Sequence, residues 1–475
     1  MNMKSQKLTI VGGGITGLSA AFFAQRAMPT AQITVLESSE RWGGVLQTES
    51  AEGYLMEHSA DMFTTEPEAA MQICEHLGRT NELLQTVPVD DRAYVATDET
   101  IHPVPRGLSL MLPSDLDSIL NSPLLTADAK ARFLAEEHIS PHDWNQDESL
   151  FSFATRRFGR ELYETLIQPL VGGIYTADPE KLSMKATMAR FVAMEKKHGS
   201  LIQAGRVAKD KITQREASGA RYGMFRAPKQ GTSELVRWIM ESLPKVNFQS
   251  DSNVESVAKV EPGWQIMTRG TGFKPALELE ADGVVLATSA KISGRLLQSV
   301  DGKLAKDLNT IEAASSAIVI LGVDRKQLGR SFSGYGIIVP SILNRDVIAT
   351  SFGSNKFEGR APDGKVLIRC FIGGALRREL VELDDEKLIE MAISELQQTV
   401  DFQGEPELTR VIRWRNCMPQ YHLGHQTLVD EIEELTAKHR GLELAGNSYR
   451  GVGIPACIES GSLAIKRLIA EQADV

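Results

Sequence analysis

Gly12, Gly14 and Gly17 stand at G-x-G-x-x-G spacing between an apolar run, residues 8–11, and a segment carrying Leu18, Ala21, Phe22 and Gln25 at helical spacing. The chemistry open to such a turn is anion binding. The first glycine makes the tight turn, the second lets main-chain amides approach a pyrophosphate, and the third lets helix and strand pack closely. Gly13, Ile15 and Thr16 complete the loop, and the positive end of the helix faces the phosphates. Glu37 follows a second strand-like run twenty residues after Gly17, where a carboxylate accepts from ribose hydroxyls, with Ser38 beside it. Next come Arg41, Gly43, Gly44 and Val45 in ERWGGV. A guanidinium binds phosphate bidentately, and paired glycines let main chain lie close under a flat ring. That order is a flavoprotein pattern rather than that of a nicotinamide dehydrogenase.

A second glycine turn lies near the end of the chain, in LELAGNSYRGVGIPACIESG. Gly446 ends a short strand, Val452, Gly453 and Ile454 lead into a helix opening at Pro455, and Ile458, Ile465, Leu468 and Ile469 share one face of it. The positive end of that helix would stabilise the anionic pyrimidine edge of a reduced flavin.

The elements that must carry these residues are spread along 475 residues, enough for two or three domains. Composition, 42% hydrophobic and 24% charged, is that of a soluble globular protein. A net charge of -10 argues against nucleic-acid partners. The four cysteines are widely spaced with no C-x-x-C pair, which predicts buried thiols of a reducing compartment and no metal site. No apolar run reaches the length of a membrane span, and the chain enters its first strand without room for a signal peptide. Residues 45–63 read as a hairpin leading to a strand, and 67–85 as a helical pair broken at Gly78. Residues 105–225 are helical in pattern. Residues 184–230 carry eleven Lys and Arg against three Asp and Glu, suiting a carboxylate-bearing ligand, anionic headgroups or a solvated helix face. Strand patterns at 246–248, 254–260 and 284–287, then at 317–323, 336–339, 347–351 and 366–372, and a helix over 385–399, predict a discontinuous dinucleotide domain with other domains inserted.

Taken together, VGGGITGLSAAFF, ERWGG, QPLVGGIYTADPEKLSM, MPQYHLGH and LAGNSYRGVGIP resemble the protoporphyrinogen oxidase family nearly end to end. The resemblance implies an α/β fold: a discontinuous Rossmann-like FAD-binding domain of the monoamine-oxidase type, a mixed-sheet substrate domain and an inserted helical, membrane-associating domain. The boundaries expected are 1–64, 228–298 and 420–475 for the FAD domain, 65–104, 184–227 and 299–419 for the substrate domain, and 105–183 for the helical one. Carried over residue by residue, Gly12 to Gly17 match the pyrophosphate loop, Glu37 the ribose acid, Val254 the main chain at the adenine, and Trp414 with Val452 to Ile454 the segments near the ring. Arg92 looks like the arginine that meets a substrate propionate, Phe352 like the aromatic that stacks on a pyrrole, Ile338 like its apolar partner, and Gly173 like the glycine whose carbonyl faces the pyrrole nitrogens. There is one departure. Where many members read ERGPDSF, this chain reads EHSADMF, placing His58, Ser59 and Ala60 before Asp61.

The activity implied is FAD-dependent oxidation of protoporphyrinogen IX in three two-electron steps, by hydride transfer from a meso carbon, with O2 as acceptor and H2O2 released. Coproporphyrinogen III is the alternative substrate within the family. A flavin amine oxidase shares the first and last motifs but lacks IYTADPEKLSM, and a non-catalytic flavin-carrying docking protein is a lesser alternative that EHSADMF leaves open. Candidate partners are ferrochelatase or another heme-pathway enzyme, an anionic membrane surface on the inner face of the cell membrane, and a second copy of the chain. The expected location is the cytoplasm.

Overall fold

The computed structural model describes residues 6–89, 93–216, 224–270, 275–330 and 332–473. Its N-terminal strand, Lys7–Val11, is the centre of a five-stranded parallel sheet. Gln32–Leu36 pairs on one side and Gly283–Leu286 on the other, and Asn247–Gln249 and Leu442–Leu444 form the two edges. Strands from three distant stretches therefore close one sheet. The apolar runs follow from burial on both faces: Ile10, Val35, Val284 and Val285 are fully buried. Helix Ile15–Ala27 covers one face and packs along the C-terminal helix Ile454–Ala473. Gly461 allows that contact, since a side chain there would strike the Thr16 carbonyl.

A second, seven-stranded mixed sheet is built from Leu408–Pro419, Ala313–Asp324, Lys365–Gly373, Val347–Phe352, Gly336–Ile338, Ala93–Ala96 and Ile101–Pro103, in that spatial order. One face packs on helix Asp385–Val400 through Leu388, Ala392 and Leu396. The other faces the hairpin Thr48–Ala51 and Tyr54–Glu57, whose Tyr54 and Met56 meet Ile318, Ile320 and Leu367.

Two boundaries move from where the sequence pattern sets them. Helices Met184–Thr187, Ala189–His198 and Leu201–Glu216 belong with the helical unit, because Met184, Phe191, Leu201 and Ile202 are buried in the same cluster as Phe133, Phe153 and Leu166. Helix Gly302–Thr310 stays with the parallel-sheet unit, its Leu304 and Leu308 packing with Val429 and Ile432. The helical pair expected over 67–85 is one α-helix, Ala69–His76, and beyond Gly78 a single 3-10 turn, Thr80–Glu82, that gives way to a strand, Leu83–Gln85. Its Leu83 and Leu84 pair with Pro228 and Ala227, a long-range ladder that overrides local helical spacing. Among the described residues, no helix is long and apolar enough to cross a membrane.

Candidate flavin site

The glycine loop is held from both sides. The Gly12 amide donates to the Leu36 carbonyl and that of Gly13 to the Glu37 carboxylate at 2.8 Å. Gly12 has φ of +110°, and a side chain on it would strike the Ala287 carbonyl. Glu37 also accepts from the Ser39 amide and hydroxyl and from Ser38. The Asp251 and Ser252 amides donate to the Ser39 and Glu37 carbonyls, bringing the strand that opens at Val254 beside the acid. The ERWGG turn docks on this loop: Gly43 bridges to Gly14 and donates to the Gly13 carbonyl. The Arg41 guanidinium gives both Nη1 donors to the carbonyls of Trp42 and Leu46 and one Nη2 donor to that of Gly44, so most of the fork shapes this turn.

The cradle fits a flavin dinucleotide. Gly14 heads the first helix in extended conformation, and a side chain there would meet only Gly44 Cα, at 3.8 Å. Any residue could take that backbone, so what glycine preserves is close approach to the amides of the helix end. Val45, Ala60 and Gly453 are exposed around it.

The segment Glu57–Asp61 runs on from the hairpin, and side chains from the second sheet fix it. The His58 ring, buried, lies 3.1 Å from Glu49, and its carbonyl accepts from the Trp414 indole at 2.6 Å. Ser59 Oγ donates to the Val45 carbonyl, and the Ser59 carbonyl accepts from Arg369 at 2.6 Å. Asp61 pairs with Arg369 and Lys356. Burial alone would raise its pKa; those two cations overcome it and hold the carboxyl well below its usual range. The departure from ERGPDSF is thus an ordered, charged segment whose cations come from elsewhere in the chain.

Cross-strand partners share a face, and that fixes what the second sheet shows the cradle. Phe352 pairs with Ile368 on the helix-covered face, is fully buried, and packs on Phe332 with ring centroids 4.4 Å apart. Its expected place as a stacking aromatic is corrected: it has no face to offer a ligand. The opposite face carries Ile338, Ala349 and Phe371, which pair with one another in register. Phe371 is half-buried beside Ile412 and Trp414, and sequence reading passed over it although it completes the alternation of Leu367 and Arg369. Ile338 packs against the helical unit. Helix Gln168–Tyr175 lies over this region; its Gly173 is exposed, with nothing within 4 Å of the place a side chain would take. Gly172, Thr176, Val339, Ile348 and Gly373 line a cavity of about 240 Å³ between helix and sheet. Arg92 lies outside the described residues.

The MPQYHLGH segment clamps the closing turn. The Tyr421 hydroxyl donates to the Asn447 carbonyl and accepts from the Gly451 amide, and its ring stacks on His425 at 4.0 Å. The His425 ring lies 2.8 Å from the Tyr449 carbonyl. Gly446, at φ +137°, donates to Ser460 of the last helix, so Val452 to Ile454 are delivered at its N-terminus. Burial pushes His425 down to about 4. The folded state then binds fewer protons than the unfolded one between that value and about 6.5, so stability falls as the pH drops through this window. Relative to a His425→Phe variant, the protein is expected to lose up to about 3 kcal/mol between pH 6.5 and 4 in urea titrations. Parallel pH profiles for the two proteins would remove His425 as the cause.

A glycine loop on a parallel sheet, an acid at the end of the neighbouring strand and a closing helix packed along the first are the frame of a dinucleotide-dependent flavoprotein oxidoreductase, with FAD as its cofactor. The model of the flavin containing amine oxidoreductases matches residues 15–469, and the chain belongs to that family. It is 29% identical to the coproporphyrinogen III oxidase of Bacillus subtilis over 98% of each chain. It is 25% identical to protoporphyrinogen oxidase 2 of Arabidopsis thaliana, over 98% of this chain and 94% of that one. A crystal structure from Exiguobacterium sp. 255-15 superposes with a TM-score of 0.85 at 28% identity, covering 99% of this chain and 100% of that one.

Proposed function

We propose that the protein oxidises a porphyrinogen to the porphyrin in heme biosynthesis, with O2 as the final acceptor. The observation that carries this reading is the flat apolar wall of Ile338, Ala349 and Phe371, covered by helix Gln168–Tyr175 and continuous through Trp414 with the flavin segment. A flat, apolar macrocycle needs such a wall. The flavin supplies a two-electron acceptor when bound. Phe371 and Ile338 hold the macrocycle, the helix Gln168–Tyr175 excludes water, and the closing helix places a partial positive charge where reduction develops a negative one. Electron-rich pyrroles help to expel hydride, so the reaction asks for no strong protein base. Arg92 is proposed to hold a propionate.

Protoporphyrinogen IX is the substrate that Arg92 favours. Coproporphyrinogen III is favoured by a separate observation: relatives named for it are 28–29% identical, against 24–27% for plant protoporphyrinogen oxidases. Anaerobic bleaching of the visible flavin absorbance by the two porphyrinogens in parallel decides. The faster identifies the substrate, and porphyrin fluorescence on admitting air establishes turnover. Bound flavin bleached by neither would sink the oxidase reading and leave a docking role. Peripheral contact with anionic membrane through the basic stretch, which extends beyond the described residues, is a proposal that vesicle flotation would test.

A further inference from the structure

Between the flavin segment and the second sheet lies a buried group of charges that does not balance. Lys356, Arg360 and Arg369 are 8%, 2% and 3% exposed, and the carboxylates that face them are Glu57 and Asp61, at 2% and 9%. Asp61 sits 3.0 Å from Lys356 and 2.6 Å from Arg369. Glu57 is held by the Thr232 amide and hydroxyl and by Thr48, and burial pushes it up toward its neutral form. Among the described residues, three cations therefore meet two carboxylates, and the burial that draws Glu57 toward its neutral form draws Lys356 the same way. An uncompensated buried cation is costly, so such an excess marks a place where an anion completes the site.

Two unpaired groups point the same way. Arg360 donates from both terminal nitrogens to the carbonyls of Lys229 and Pro228, while its buried Nε has no partner. Ser351 Oγ, buried, is also without a partner, and Ser351 pairs across the sheet with Arg369 on the face that carries Phe371. Arg369 reaches from that face to the carbonyls of Glu57 and Ser59, and its guanidinium lies 5.5 Å from the Phe371 ring centroid.

We propose that Arg369 and Lys356 are positioning residues that hold the flavin segment Glu57–Asp61 and give it the positive field that favours the reduced, anionic cofactor over the oxidised one. This rests on the flavin reading of the site but not on the identity of the substrate. A cation close to the ring edge stabilises the extra negative charge of the reduced form and raises the reduction potential. The carbonyl bonds from Arg369 keep His58 and Ser59 in place while the charge acts. The cations stand on a strand of the substrate sheet and in the turn that precedes it, so the substrate wall and the flavin segment are tied by one side chain.

The test is an equilibrium redox titration of the bound flavin in the purified holoprotein, with FAD affinity of the apoprotein measured by fluorescence quenching. In Arg369→Gln, reduced flavin is expected to lose at least tenfold in affinity relative to oxidised flavin, a fall of about 30 mV or more for a two-electron couple. Arg369→Lys should recover most of the potential and only part of the FAD affinity, since a compact ammonium does not reproduce the planar fork that spans two carbonyls and a carboxylate. Lys356→Met leaves the carbonyl bonds intact and should lower the potential by itself. If Arg369→Gln does not fold, the Lys356→Met potential decides. Unchanged potentials in the folded variants overturn the proposal, and unchanged potentials with a raised KM would assign the charge to a substrate carboxylate instead. The potentials and FAD affinities, unlike KM, need no turnover of a porphyrinogen, so failure of the substrate reading shows separately, in the bleaching experiment.

Discussion

Gly14→Ala is expected to yield a folded protein that purifies largely without flavin, while Gly17→Ala, three residues on in the same loop, is expected to yield no folded protein. At Gly14 the backbone is extended and the nearest atom to an added methyl is Gly44 Cα, at 3.8 Å. The polypeptide alone tolerates the change at a cost below about 1 kcal/mol, that of a poorer helix cap. The methyl would occupy the space the pyrophosphate needs at the helix end, and FAD affinity should fall about 100-fold. At Gly17 a methyl would strike the Gly12 carbonyl and the Ala287 side chain. The helix cannot retreat, because Gly461 of the last helix already abuts the Thr16 carbonyl behind it. More than about 4 kcal/mol is the expected loss. Fluorescence titration of apoprotein with FAD and thermal melts of both variants separate the two glycines. A Gly14→Ala protein that retains flavin at wild-type affinity would mean that the pyrophosphate does not lie over this helix end.

The second large effect separates two phenylalanines that the sequence does not distinguish. Phe371→Ala should raise KM for the porphyrinogen about tenfold or more, the loss of a ring stacked on a flat ligand, with little change in melting temperature. Phe352→Ala should cost about 3–5 kcal/mol in urea unfolding and leave KM alone, because that ring fills the core against Phe332 beneath helix Asp385–Val400. The reverse pattern would mean that the sheet is read on the wrong face. A strand repeats every two residues, so one residue of misreading exchanges the two faces entirely.

That exchange shows where sequence reading stops. Both phenylalanines stand in apolar β runs, and neighbouring segments, SFGSNKFEGRAP and IRCFIGG, look equally fit to present an aromatic. The pairing of Phe371 with Ala349 and Ile318, and of Phe352 with Ile368, decides it, and pairing is set by the whole ladder. The glycine loop was legible for the opposite reason: its spacing answers to a local need, a tight turn and a close helix, that lies within ten residues. Glu37, the last helix and most strands of both sheets were legible on the same grounds of local periodicity. Leu83–Gln85 was not, because its strand exists only through a partner more than a hundred residues away.

The sequence by itself determined that a glycine turn at Gly12–Gly17 joins a strand to a helix, that the fold is α/β with insertions, and that the cofactor is a flavin dinucleotide. Only the tertiary structure decided that Arg41 spends most of its guanidinium on its own turn, that Phe371 rather than Phe352 faces the site, and that the unusual EHSADMF segment draws its cations from Lys356 and Arg369, about three hundred residues further on. The physical reason is range. Turns and helix faces are fixed by bonds between near neighbours. Which face of a strand is buried, and which charge meets which, depends on packing between segments whose separation in sequence carries no information about their separation in space.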